Sequence, residues 1–131
     1  MNMVSRSGYQ VYQRNKYETA SPHKLILLLY DGALLNIARA QQSYERGMNN
    51  EAKQSILKAQ DIVSELLSCL NEDQGGELAS RMMQLYLYVM RMLVDANIHR
   101  KKEALYEAEV VLRDLRSAWE QIGKDVGLSA T

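Results

Sequence analysis

The sequence predicts an all-α fold, an antiparallel up-and-down four-helix bundle with an N-terminal arm packing on it. Three observations lead to this prediction. Apolar residues recur at alternating steps of four and three, which is the spacing of one helix face. Three short interruptions divide this pattern into four segments, and no segment alternates as a strand would. The chain of 131 residues is 47% hydrophobic, enough for one domain over residues 1–131 with its own core.

Helix-breaking residues set the order and the lengths of the helices. Ser21 and Pro22 are favoured at the N-cap and in the first turn, so the first helix is expected to begin there. The pattern breaks at Gly47–Asn50, at Asn71–Gly76 and, more weakly, at Ile98–Lys102. Such short connections favour antiparallel neighbours. The predicted helices span residues 22–46, 50–70, 76–98 and 102–122.

The first residues of the chain, 1–20, lack a helical stripe but contain several aromatic side chains, Tyr9 and Tyr12 among them. Aromatic side chains gain much from burial. We therefore expect these residues to form an arm that packs on the bundle.

One apolar series on each helix is assigned to the core, because each series steps alternately by four and three. The series are Ile26, Tyr30, Ala33, Ile37, Ala40 and Tyr44; Ala52, Ile56, Ala59, Val63, Leu66 and Leu70; Leu78, Met82, Leu85, Val89, Met92 and Ala96; and Leu105, Ala108, Leu112, Leu115, Trp119 and Ile122.

The first and third helices carry further apolar residues away from this core. At about 100° per residue, Leu28 and Leu35 fall roughly opposite the core series of the first helix. The third helix has a second apolar series centred about 150° from its first. The members of this second series are Met83, Leu87, Met90 and Val94.

Three explanations remain open for these outer stripes. The arm, or an off-centre arrangement of the helices, covers them internally. A second copy of the chain covers them in a homodimer. Alternatively, they form a groove for the amphipathic helix of another protein, with methionines giving adaptable contacts.

Charge and composition exclude several classes of function. The formal net charge is zero and the pI is about 6.7, so we expect neither nucleic-acid binding nor attraction to an anionic membrane. No apolar run approaches the ~20 residues of a membrane span. The single cysteine, Cys69, has no partner for a disulfide, which indicates a cytoplasmic protein.

The sequence contains no recognisable catalytic or metal-binding motif. A di-metal site in a helical bundle needs Glu-x-x-His pairs, and neither His23 nor His99 follows a glutamate by three residues. Phosphate-loop, paired-histidine and nucleophile-elbow motifs are also missing. We expect a protein that is not an enzyme and uses no cofactor or metal.

Ordered short motifs resemble the flagellar secretion chaperone family, FliS. They include the run Tyr12–Asn15, then Thr19–Pro22, and then Leu29–Ala33. Further motifs follow at Leu85–Met90 and Leu115–Trp119. Each motif is weak alone, but their ordered combination over residues 12 to 122 is specific.

This resemblance implies a chaperone of the bacterial cytosol that binds the disordered C-terminal segment of flagellin. Binding would prevent premature polymerisation and keep flagellin competent for flagellar type III secretion. It implies that the outer stripes contact the client. It also implies that the arm, through Tyr12 and Tyr9, covers a groove or contacts the export gate. The chain departs from the family pattern at Leu87, where an acidic residue is common, and at Met92, where arginine is common. The alternative function is a self-associating helical adaptor.

Overall fold

Four α-helices make up the described part of the chain. The computed structural model describes the backbone of residues 21–70 and 72–125, and the side chains of residues 21–70 and 76–124. The prediction of an all-α four-helix fold is confirmed. The arm predicted over residues 1–20, with Tyr9 and Tyr12, lies outside the described residues. The helices are α1 (Pro22–Glu45), α2 (Asn49–Ser68), α3 (Glu72–His99) and α4 (Lys102–Asp125).

Local backbone chemistry sets the ends of these helices. The side chain of Ser21 accepts a hydrogen bond from the Lys24 backbone N–H at 3.2 Å and caps α1. Gly47 then reverses the chain with φ of 71°. Within α3, Gly76 is non-helical with φ of 57°, so the helix is kinked close to its start. Arg100 follows α3 with φ of 53°, a conformation that non-glycine residues rarely adopt.

Sequential helices are neighbours in a ring, in which α4 also packs against α1. Near the start of α1, His23 contacts Trp119 at the end of α4. Near the end of α1, Gln41 bonds to Glu109 in the first half of α4 at 2.9 Å. From the first pair to the second, the residue number rises on α1 and falls on α4. Helices α1 and α4 are therefore antiparallel, as in an up-and-down bundle.

Helices α1 and α3 lie diagonally across the ring, and two hydrogen bonds cross between them. The hydroxyl groups of Tyr30 and Tyr86 are 2.6 Å apart, and both side chains are fully buried. The Tyr44 hydroxyl donates to the Ala96 carbonyl oxygen at 3.2 Å. The residue numbers of both helices increase together in these pairs, so the diagonal helices are parallel.

The core contains most of the predicted residues, but three of the assignments are wrong. Leu78, Leu85 and Ile122 are 62%, 41% and 45% exposed. On α3 the buried face is rotated by about 50° from the predicted one, because Tyr86 turns inward to meet Tyr30. On α4, Ile122 lies beyond Trp119, the last α4 side chain packed on the core in the described part of the chain. The buried face of α3 consists of Ala79, Tyr86, Val89, Leu93 and Ala96, with Met82 packed beside it.

Candidate protein-binding surfaces

The outward side of α1 carries the first apolar surface, which we call the α1 surface and define by Leu28 and Leu35. Leu35 is 51% exposed, and Leu28 is partly buried. Both lie opposite the buried residues of α1, as the sequence predicts. Within the described part of the chain, the α1 surface is therefore open to a partner.

The second apolar series of α3 lies on the flank of that helix that faces α2. On the opposite flank, the Tyr88 hydroxyl donates to Glu107 of α4 at 2.9 Å. Asn97, three residues beyond Val94, shares a cleft with Lys53 of α2. Since the core face is rotated, this series is centred about 100° from it rather than about 150°. It borders the core instead of lying behind it.

Exposure varies along this α3 series. Leu87 is 45% exposed, whereas Met83, Met90 and Val94 are partly buried. Met90 also packs against the core. Leu87 is therefore the member that offers most apolar area to a partner.

Helix α2 supplies a second wall beside this series. Ile62 lies on the α1 side of α2, because its side chain closely approaches Gly32 of α1. On the other flank, Leu57 is 37% exposed and Leu67 is partly buried against the core. The α2–α3 groove is defined by Leu57 and Leu67 of α2 and by Met83, Leu87, Met90 and Val94 of α3.

The α1 surface and the α2–α3 groove do not form one flat site. Helices α1 and α3 are diagonal in the ring, so the outward side of α1 points away from α3. A single straight helix therefore cannot contact both surfaces. A partner that contacted both surfaces would have to change direction between them.

One end of the α2–α3 groove opens into a polar cleft. Burial raises the pKa of Tyr44 in this cleft, and the nearby Arg100 cation opposes that shift. Beside the cleft, a hydrogen bond from His99 to Asp95 at 2.8 Å lowers the pKa of the Asp95 carboxyl, and Lys101 reinforces this effect. The polar cleft is lined by Tyr44, Asn49, Asn50, Lys53, Asn97, Ile98 and Arg100.

The described residues contain neither a membrane-spanning helix nor a metal-binding cluster. None of the four helices there is long and apolar enough to cross a membrane. In the same residues, no three His, Cys, Asp or Glu side chains are grouped so that they could hold a metal ion.

Comparison with known proteins decides the family. The family described as "Flagellar protein FliS" matches residues 5–126. The chain is 38% identical over 119 residues to the flagellar secretion chaperone FliS of Bacillus subtilis strain 168, covering 91% of this chain and 88% of that protein. The chain belongs to the FliS family of flagellar secretion chaperones.

Further FliS relatives come from other bacteria. The FliS of Salmonella typhimurium strain LT2 is 34% identical over 125 residues, covering 92% of this chain and 93% of the relative. The flagellar secretion chaperone FliSB of Pseudomonas aeruginosa strain PAO1 is also 34% identical, covering 92% of this chain and 98% of the relative. The family resemblance drawn from the sequence motifs is thereby confirmed.

A ring contact joins α1 to α4 near the start of α1. His23 and Trp119 stack with centroids 5.2 Å apart. His23 Nε2 donates to the Trp119 carbonyl oxygen at 2.7 Å, and Trp119 Nε1 donates to the His23 carbonyl oxygen at 3.0 Å. The other histidine, His99, is paired with Asp95. Both histidines thus make structural contacts.

Two features of the FliS surface are missing from the sequence predictions. Outer apolar residues are predicted from the sequence on the first and third helices alone, so Leu57 is not identified as part of a groove wall. A helical count on α2 could have found it, since Leu57 lies ten residues before Leu67 and about 80° from it around the helix. The polar cleft could not be found in this way, because its residues come from α1, α2, α3 and the turn that follows α3.

Proposed function

We propose that this chain is a cytoplasmic export chaperone that binds the disordered C-terminal segment of flagellin. Binding prevents premature polymerisation and keeps flagellin competent for flagellar type III secretion. The exposed apolar α2–α3 groove, centred on Leu87, is the observation that carries this proposal. The family membership supports the export role. The chaperone works by binding, without catalysis, and hands its client to the export gate.

The groove suits a disordered client because each contact is of modest strength. Burying the exposed half of Leu35 or Leu87 contributes about 1 kcal/mol for each side chain. The client must also be ordered, which costs several kcal/mol of the gross interaction energy. Affinity therefore comes from many contacts along two surfaces, and release at the export gate needs no single strong contact to break.

The N-terminal arm belongs to the same proposal. Tyr12 and Tyr9 would cover part of the apolar surface in the free chaperone or contact the export gate. The resemblance to the family supports this role. The arm precedes Ser21 in the chain, and Ser21 lies at the end of the bundle where His23 contacts Trp119.

Exchange of Leu87 for aspartate tests the groove, and Leu85 offers a matched control. Both leucines lie on α3 with similar exposure, 45% and 41%. At about 100° per residue, Leu87 falls on the flank towards α2 and Leu85 on the flank of Tyr88, towards α4. We expect Leu87→Asp to weaken binding of a flagellin C-terminal peptide by about 10- to 100-fold, because apolar burial is lost and a carboxylate is desolvated. Leu85→Asp should change the affinity less than about twofold.

Titration calorimetry measures these affinities, and circular dichroism checks that both variants stay helical. An equal loss of peptide affinity in both variants would show a general effect on the bundle. The groove would then not be the binding site. Leu35→Asp then tests the α1 surface separately. A stable dimer in light scattering, without peptide binding, would favour the self-associating adaptor instead.

A further inference from the structure

The polar cleft at the end of the α2–α3 groove carries positive charge without a matching carboxylate. Its lining includes Lys53 and Arg100, and none of its lining residues is acidic. The next cation along the chain, Lys101, is paired with Asp95 at 3.6 Å. No ion pair of Lys53 or Arg100 occurs among residues 21–70 and 76–124. The cleft therefore presents two cations to whatever occupies the adjoining groove.

The groove leads directly into this cleft on both walls. On α3, Asn97 continues the series that steps from Leu87 to Met90 and Val94, and Asn97 lines the cleft. On α2, Lys53 lies one turn before Leu57 and also lines the cleft. A ligand helix lying in the groove must thus bring one of its ends to Lys53 and Arg100.

We propose, resting on the proposed function, that the polar cleft fixes the direction of the client helix by receiving its C-terminal end. The last four carbonyl groups of a helix have no partner within that helix, and this end carries a partial negative charge. Lysine, arginine and asparagine side chains are donors that can satisfy those carbonyl groups. The client helix then runs parallel to α3 and antiparallel to α2.

The dimensions fit a helix of ordinary length. From Met83 to Asn97 the α3 wall rises through fourteen residue steps, which corresponds to about 21 Å. A client helix of about 14 residues therefore fills the groove and ends in the cleft. The apolar stripe of this helix faces Leu87, and its carbonyl end faces Lys53.

The backbone at Arg100 supports a role for its charge. Arg100 has φ of 53°, where glycine is the favoured residue, at the position that follows the end of α3. An arginine there is strained in the folded protein, so helix termination alone does not account for it. Its position in the lining of the cleft supplies a reason for that side chain.

Spin labels on the peptide test the direction. The probes are synthetic peptides that tile the C-terminal segment of flagellin, and the one that shifts the amide signal of Leu87 is labelled at either end. A label at the C-terminal end should broaden the amide signals of Lys53 and Asn97. A label at the N-terminal end should broaden those of Leu67 and Met83.

Each outcome of this experiment bears on the proposal. The reversed pattern, or equal broadening at both ends, would overturn the direction while leaving the binding function standing. If no peptide binds, the proposed function fails and the direction fails with it. The two failures are distinguishable because binding is seen in the unlabelled titration.

Charge variants give a second test that separates recognition from stability. Lys53→Gln should weaken peptide binding about two- to fivefold, whereas Lys58→Gln, an exposed lysine about 140° around α2, should not. Arg100→Gly should raise the melting temperature, since glycine relieves the strain, yet weaken binding by a similar factor. Unchanged affinity in both Lys53→Gln and Arg100→Gly would overturn the role of the cleft.

Discussion

The absence of a side chain at Gly123 allows α4 to pack closely against α1. A Cβ atom at this position would overlap the ring of His23, which is buried between α1 and α4. The ring cannot move away without losing its stacking on Trp119 and its hydrogen bond to the Trp119 carbonyl. A carbonyl oxygen can only accept, so His23 carries its proton on Nε2.

Gly123→Ala should therefore destabilise the protein, although alanine normally favours a helix over glycine. In an exposed helix this exchange stabilises by about 1 kcal/mol. Here overpacking against His23 should reverse the sign and cost about 1 to 3 kcal/mol. Urea unfolding followed by circular dichroism measures the free energy of unfolding.

Another helical glycine, Gly32, supplies the control. A Cβ atom there would approach the end of the Ile62 side chain at 3.2 Å, a contact that a flexible side chain can relieve. Gly32→Ala should stay within about 1 kcal/mol of the unchanged protein. In a His23→Ala background, Gly123→Ala should no longer destabilise. A persistent cost in that background would show that the ring is not the obstacle.

At the scale of the helices, the buried tyrosine pair fixes the rotation of α3. Tyr30 and Tyr86 come from diagonal helices and join hydroxyl to hydroxyl inside the core. A buried hydroxyl without a partner is costly, so α3 settles in the rotation that brings Tyr86 to Tyr30. That rotation also turns Leu85 outward and turns the Met83–Val94 series towards α2.

A double-mutant cycle tests this diagonal contact. Tyr86→Phe leaves the Tyr30 hydroxyl buried without its partner and should cost about 1 to 3 kcal/mol. Tyr30→Phe/Tyr86→Phe removes both hydroxyls and should cost less than the sum of the single variants. Urea unfolding of the four proteins gives the coupling free energy. Strict additivity would mean that the hydroxyl pair does not set the rotation.

The sequence predicts the helices better than their rotations, and the tyrosine pair explains why. Steps of four and three identify a helix face, but two such series on α3 overlap, one through Leu85 and one through Tyr86. Counting alone favours the leucine, since leucine has no polar atom to satisfy. Only the position of Tyr30, more than fifty residues earlier in the chain, makes a buried Tyr86 favourable.

For the molecule as a whole, the candidate site depends on the ring order of the helices. The sequence predicts Leu28, Leu35 and Leu87 as outward residues, and the structure leaves Leu35 and Leu87 exposed and Leu28 partly buried. It cannot predict that the α1 surface and the α2–α3 groove point in different directions. That relation follows from which helices are diagonal, and a partner that contacted both surfaces would have to wrap around the bundle.

The same diagonal pair should make the stability of the whole bundle sensitive to alkaline pH. Burial raises the pKa of Tyr30 and of Tyr86 above the ordinary tyrosine value. Below about pH 10 both tyrosines are neutral in the folded and the unfolded chain, so they give no pH dependence there. Above about pH 10 the unfolded chain releases protons that the folded chain retains, and the free energy of unfolding falls.

For each buried tyrosine, the free energy of unfolding should fall by about 1.4 kcal/mol per pH unit as the pH rises above about 10. Urea unfolding between about pH 9 and about pH 11 should show a steeper decline for the unchanged protein than for Tyr30→Phe/Tyr86→Phe. Tyr106, which is 61% exposed, supplies the control, and Tyr106→Phe should decline like the unchanged protein. Parallel curves for all three proteins would contradict the prediction, because burial of the pair would then not hold its protons.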